Sequence, residues 1–127
     1  MLLASLLLSA AAPGAVGAMR WEKRVLLVAA PSADDPRLLR QRRIVARWSA
    51  AAAERDLVMV EVVGDRVTGA SDAAATLRRR YRLPAGRFAA LLIGKDGGSK
   101  LREERPIAAA TLEETIDAMP MRRNGGR

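Results

Sequence analysis

No cysteine and no histidine occurs anywhere in the 127 residues. Disulfide stapling, thiolate redox chemistry, zinc centres of the usual Cys/His kind and imidazole acid–base catalysis are therefore excluded. Aromatic residues make up only 3% of the chain. A core must then be built from Val, Leu, Ile, Ala and Met, and few rings remain to stack on nucleobases. Lysine is scarce too, limited to Lys23, Lys95 and Lys100. The net charge of +8 is thus carried almost wholly by arginine, whose planar fork suits phosphate, sulfate and carboxylate. GC-rich coding also produces Ala- and Arg-rich chains, and net charge speaks to solubility and non-specific binding before it speaks to function.

Charge is missing altogether from residues 1–18. The apolar run over residues 2–12 is too short to span a bilayer. Pro13 and Gly14 break it, and Val16-Gly17-Ala18 places small residues where a signal peptidase reads them. The segment reads as a secretory signal over residues 1–18 with cleavage after Ala18, which makes the protein periplasmic or secreted. One element of that pattern is lacking, because no Lys or Arg follows Met1. A misassigned start would explain the gap. The alternative is an uncleaved membrane anchor, and contact with a membrane is expected only if the segment is retained. The rest of the chain makes one small domain over residues 19–120 and a loose basic tail over residues 121–127.

Residues 25–29 form a continuous apolar run, the pattern of a strand covered on both faces. Asp35-Pro36 is a strong helix start, with an N-capping carboxylate followed by proline at the first helical position. The helix is expected to run to about Ala53, turning Leu38, Gln41, Val45, Trp48 and Ala52 inward and leaving Arg40, Arg43 and Arg47 as a solvated stripe. Residues 57–63 are a second strand ended by Gly64-Asp65, and Glu61 within it fits an edge strand guarded against mispairing. Ser71 is expected to cap a second helix through Tyr81, with Ala70, Ala74, Leu77 and Tyr81 inward. Residues 88–93 form a third strand, residues 94–98 a glycine-rich hairpin turn, and residues 99–105 a fourth, more polar strand. Thr111-Leu-Glu-Glu114 reads as a capping box opening a last helix that Pro120 terminates.

This order predicts an α/β fold: a thioredoxin-like three-layer sandwich, β-α-β-α-β-β-α, with a mixed four-stranded sheet of order 2-1-3-4. In redox proteins of this layout the loop after the first strand carries the attacking cysteine. Here it carries Pro31, Ser32 and Ala33. Such proteins also place a cis-proline directly before the third strand, whereas here Gly86-Arg87 precede Phe88 and Pro84 is displaced.

The run from Val25 to Leu38 (VLLVAAPSADDPRL), with Gln41, Leu91 to Gly98 (LLIGKDGG) and Ile116 to Arg123 (IDAMPMRR), resembles the domain-of-unknown-function 4174 family. That family occurs in short secreted bacterial proteins and in animal matrix proteins of the sushi-repeat-containing and coiled-coil-domain-containing kinds. The resemblance implies a thioredoxin- or peroxiredoxin-like fold, a binding or structural role outside the cytoplasm, and no established enzymatic activity. It carries over no catalytic residue.

Two groups of residues remain as candidates. Ser32, Asp34, Asp35 and Gln41 mark a ligand site or the vestige of one near the first helix, although Asp35 also serves as a cap and Gln41 as a buried amide satisfied by loop backbone. Arg78, Arg79, Arg80 and Arg82 form the densest basic cluster and a candidate anion-binding surface. Gly94-Lys95-Asp96 lacks the spacing of a phosphate loop, and Asp65, Asp72, Asp96 and Asp117 lack calcium-loop spacing. No metal and no cofactor is expected. The partners expected are a protein or an anionic envelope polymer; nucleic acid is disfavoured. The functional expectation is an exported, non-catalytic thioredoxin-like module. Its alternative is a cysteine-free enzyme of peroxide or thiol-related metabolism working near Ser32.

Overall fold

A computed structural model describes residues 14–126; residues 1–13 of the expected export segment and Arg127 lie outside them. A 3-10 turn (Val16–Met19) leads into β1 (Arg24–Ala30), α1 (Pro36–Arg47), α2 (Ser49–Glu54), β2 (Leu57–Val63), β3 (Arg66–Thr68), α3 (Ala74–Tyr81), β4 (Ala89–Ile93), β5 (Ser99–Glu103), α4 (Ala109–Asp117) and α5 (Pro120–Arg123). The fold is a mixed α/β domain on one five-stranded sheet of order β3-β2-β1-β4-β5. β1 and β2 are parallel, and every other pairing is antiparallel.

All of β1 is buried, as its unbroken apolar run requires. Successive side chains alternate between the two faces of the sheet. Leu26, Val28 and Ala30 join Leu38, Ala52, Phe88, Ile107, Leu112 and Ile116 in one core, under α1, α2 and α4. Val25, Leu27 and Ala29 join Val16, Val60, Val62, Ala74, Leu77 and Leu83 in a second core, under α3 and the N-terminal turn. Val16 is only 4% exposed, and its N–H donates to Asp72 Oδ1 at 2.8 Å. Cleavage after Ala18 would take this residue out of the second core.

The four-stranded sheet expected from the sequence is corrected by β3, which pairs antiparallel with β2. Gly64-Asp65 does not merely end a strand. It is a two-residue hairpin turn joining the paired residues Val63 and Arg66, and Gly64 supplies the positive φ of 59° that such turns demand. β2 is therefore not an edge. Glu61 accepts both guanidinium bonds of Arg42, at 2.6 and 2.8 Å.

The helices differ from expectation at their ends. Asp35 does cap α1, accepting from the Arg37 N–H at 2.8 Å. The helix breaks at Trp48, however, so residues 36–53 form α1 and α2 rather than one rod. Neither Ser71 nor Thr111 caps a helix: α3 and α4 start after Ala73 and Ala108, with no side-chain cap. α4 ends before Pro120, as expected, but Pro120 also opens α5 at its first position, so part of the expected loose tail is helical.

Ion pairs clamp that last helix. Asp117 accepts from Arg55 Nε and Nη2 at 3.0 and 3.1 Å and from Arg122 Nε at 3.2 Å, while Glu54 pairs with Arg122. The Arg55 hydrogen bonds hold the Asp117 carboxyl below its usual value, with Arg122 adding to the effect. A carboxyl lowered by folding contributes stability that is fully present above its unfolded pKa, about 3.9, and is lost as pH falls through the folded value. Asp117→Asn should therefore lower Tm by a few degrees at pH 7, and the gap from the parent should begin to narrow below about pH 4 and go on shrinking as the pH falls further. Thermal melts across that range check this; a gap that persists in acid would assign the loss to something other than charge. The effect is small because Asp117 is 42% exposed and solvent screens it.

Candidate functional site

Four of the residues singled out in the sequence belong to the loop after β1 and the helix it opens. Ser32 Oγ donates to Asp34 Oδ1 at 2.8 Å, and both residues are exposed. Asp35 faces the first turn of α1 and is spent on the cap. Gln41 does not join them. It is fully buried, and its amide is consumed at both ends by one loop residue: Nε2 donates to Ile107 O at 3.1 Å, and Oε1 accepts from the Ile107 N–H at 2.7 Å. A group with both atoms satisfied and no exposure cannot meet an external ligand. The groove that reaches this loop, lined by Ala33, Arg42, Glu61, Asp65, Arg66 and Thr68, has its central charges paired with each other as Arg42–Glu61. The serine thus has a hydrogen-bonded carboxylate neighbour but no base of useful strength, and nothing buried to support it.

The basic cluster is dispersed by α3. Arg79, Arg80 and Arg82 are exposed and Arg78 is half-buried, with its Nε lacking a hydrogen-bond partner. Arg82 sits beyond the helix in the left-handed region, at φ 55°. Its carbonyl and that of Tyr81 accept from the two terminal nitrogens of Arg102, at 2.6 and 2.9 Å. Arg102 thereby closes the negative end of α3.

Arg80 lines a concave site. Its guanidinium lies 5.9 Å from the Tyr81 ring centre and lines a groove of about 560 Å³ with Arg20 and Lys23. Tyr81, Ser99 and the backbone of Gly17, Gly94 and Gly97 complete the wall, and among the described residues no carboxylate side chain lines it. Arg20 is held in place by donating to the Asp96 carbonyl at 3.1 Å. Sequence reasoning missed Arg20 and Lys23. They stand some sixty residues before Arg80 in the chain, and only docking of the N-terminal turn against α3 brings the three together.

A family model described as Domain of unknown function (DUF4174) matches residues 16–125. The chain belongs to the DUF4174 family. No curated protein matches it. The match begins at Val16, the residue that seals the second core of this DUF4174 domain, and it takes in Arg20, Lys23 and Arg80. Among the described residues no helix is long and apolar enough to cross a membrane.

Proposed function

We propose that this DUF4174 domain is an exported, non-catalytic module on a thioredoxin-like scaffold, and that its partner is anionic. The groove of Arg20, Lys23 and Arg80 carries this reading. It sets three cations in one concavity without a lining carboxylate, an arrangement that repels itself unless an anion enters. The hydroxyls of Tyr81 and Ser99 supply further hydrogen-bonding groups. The catalytic alternative finds no support at the first loop, where Gln41 is committed to Ile107 and Ser32 faces only Asp34. Export is supported by the uncharged, apolar run over residues 2–12, which precedes the groove-lining Val16 and Gly17, and the thioredoxin-like reading by the parallel β1–β2 pair with its helical crossover and the antiparallel β4–β5 hairpin.

Immobilised heparin, used as a generic polyanion, tests the reading. The wild-type domain should be retained and elute only as salt screens the contacts. The triple variant Arg20→Gln, Lys23→Gln, Arg80→Gln should elute at clearly lower salt, by more than the exposed-arginine variant Arg66→Gln, Arg105→Gln, Arg123→Gln does. Wild-type protein that shows no salt-sensitive retention overturns the anionic reading.

A further inference from the structure

The arginine stripe of α1 is a different surface, on the opposite face of the sheet from the groove of Arg20, Lys23 and Arg80. Arg40, Arg43 and Arg47 are all exposed. Several other arginines are put to structural use: Arg42 grips Glu61, Arg55 grips Asp117, and Arg122 grips Glu54 and Asp117. None of the three stripe side chains has an ion pair or hydrogen bond among the described residues. Spaced by three and four, they are neighbours on one helix face, where like charges destabilise the helix instead of supporting it. The arrangement costs the fold something and returns nothing to it.

The three arginines line one groove with Ile44, Trp48, Ala108 and Ala109. Its floor is therefore apolar, from Ile44 and the indole of Trp48. Its far wall is the first turn of α4, a nine-residue helix with no side-chain cap, whose free N–H groups add positive potential. Trp48 is fixed in position: its Nε1 donates to Glu113 at 3.2 Å, and Arg55 lies 5.6 Å from its ring centre. Glu113 is itself drawn to Arg55, at 3.7 Å, which offsets its charge. From Arg40 to Arg47 the ridge runs for about 10 Å along the helix axis.

We infer that this groove docks a linear acidic polysaccharide, with its carboxylate or sulfate groups on Arg40, Arg43 and Arg47 and the C–H face of a sugar ring on Ile44 and Trp48. The inference rests on the reading of the domain as an anion binder and names the ligand class and a second surface for it. The apolar floor selects the class. A bare polyphosphate would use the arginines but has nothing to lay on the floor, and single-stranded nucleic acid needs several exposed rings for its bases, whereas one face of Trp48 is taken by Arg55.

The test is calorimetric titration of the full-length protein with galacturonate oligomers and, separately, with heparin oligosaccharides, the first carrying carboxylates and the second adding sulfates. Neutral dextran and polyphosphate serve as comparison ligands. In an Arg20→Gln, Lys23→Gln, Arg80→Gln background, which removes the cations of the other groove, adding Arg40→Gln, Arg43→Gln, Arg47→Gln should weaken binding of an acidic oligosaccharide about tenfold or more, with an unchanged or slightly raised Tm because like-charge repulsion has been relieved. The matched variant Arg66→Gln, Arg105→Gln, Arg123→Gln, which removes equal charge from exposed positions outside both grooves, should, when added to the same background, bind as that background does. Ile44→Ser should weaken the oligosaccharides and leave polyphosphate unaffected. Equal losses in the two triple variants overturn the α1 groove while leaving the anionic reading intact. Polyphosphate binding as tightly as the sugars, with Ile44→Ser without effect, overturns the polysaccharide. Absence of binding to every anion overturns both the groove and the reading beneath it.

Discussion

Gln41→Met should cost this domain about 3 kcal/mol, although it removes no charge and little volume. Two buried backbone groups depend on that amide. Ile107, itself 2% exposed, gives its N–H to Oε1 and takes Nε2 on its carbonyl. Methionine preserves the shape and leaves both groups unpaired, at about 1–3 kcal/mol for each buried group abandoned. For a domain of this size the loss corresponds to a fall in Tm of about 12–20 °C. Calorimetry reads it directly, and a Tm within about 3 °C of the parent would refute the argument. Gln41→Glu separates the hydrogen bonds from the packing. A protonated carboxyl can still accept from the Ile107 N–H and donate to its carbonyl, whereas an ionised one cannot donate. Burial raises such a carboxyl in the folded state, so its neutral form is the stabilising one. The stability gap to wild type, compared at equal pH, should then be small near pH 4 and widen as pH rises from the unfolded glutamate value, about 4.3, toward the folded one. A ligand-contacting glutamine would show neither behaviour.

The fate of Gln41 shows where sequence reading stops. Its helical spacing places it on the inward face of α1, and its polarity marks it as unusual. Its partner is a loop residue sixty-six positions away, and no local pattern names that. Features decided within a few residues were legible: the Asp35-Pro36 start of α1, the fully buried β1, and the glycine turn between β4 and β5 with Gly97 at φ 86°. Features decided by docking were not. Ser71 has the chemistry of a cap, but its N–H goes to the Gly14 carbonyl, and the neighbouring Asp72 carboxylate is taken by Val16. The chain between them and Ala74 is used to seat the N-terminal turn, so α3 starts later. Thr111 and Glu114 match a capping pattern yet fall inside α4, where Thr115 donates back to the Thr111 carbonyl. The break at Trp48 is hidden because residues on both sides favour helix; the indole is drawn to Glu113 and Arg55 across the interface. Strand β3 was readable in principle from Gly64-Asp65 between the valine-rich β2 and the β-branched pair Val67-Thr68, a two-residue hairpin signal. The arginines were visible as composition, but which of them share a concavity depends on tertiary packing alone.

Arg24→Met is the second substitution expected to weaken the fold severely, and its sign is the more instructive question. Arg24 is 1% exposed at the first position of β1. Its Nη1 donates to the Arg55 carbonyl at 2.6 Å and its Nε reaches the Met119 sulfur at 3.3 Å, tying the start of β1 to the end of α2 and to the entry of α5. Burial lowers its pKa, repulsion from Arg122 and Arg55 works the same way, and attraction to Asp56 and Asp117 opposes them. Asp56 is also held by Lys95, 2.9 Å from its Oδ2. Two effects therefore compete. Replacing a buried cation by an apolar side chain relieves desolvation and can stabilise a protein, but breaking a buried pair from one side costs about 3–5 kcal/mol. The second should win here, because the substitution leaves the Arg55 carbonyl without this donor and removes one of the two cations facing Asp56. The expected loss is about 3 kcal/mol, partly spared by Lys95. Lys95→Met alone should cost less, since Arg24 remains. The double variant should cost more than the sum of the singles, because the half-buried Asp56 then loses both of these cations at once. Denaturant titration of the four proteins closes the cycle. Additive losses would mean that the two cations act independently, and a stabilised Arg24→Met would mean that desolvation outweighs every bond the guanidinium makes.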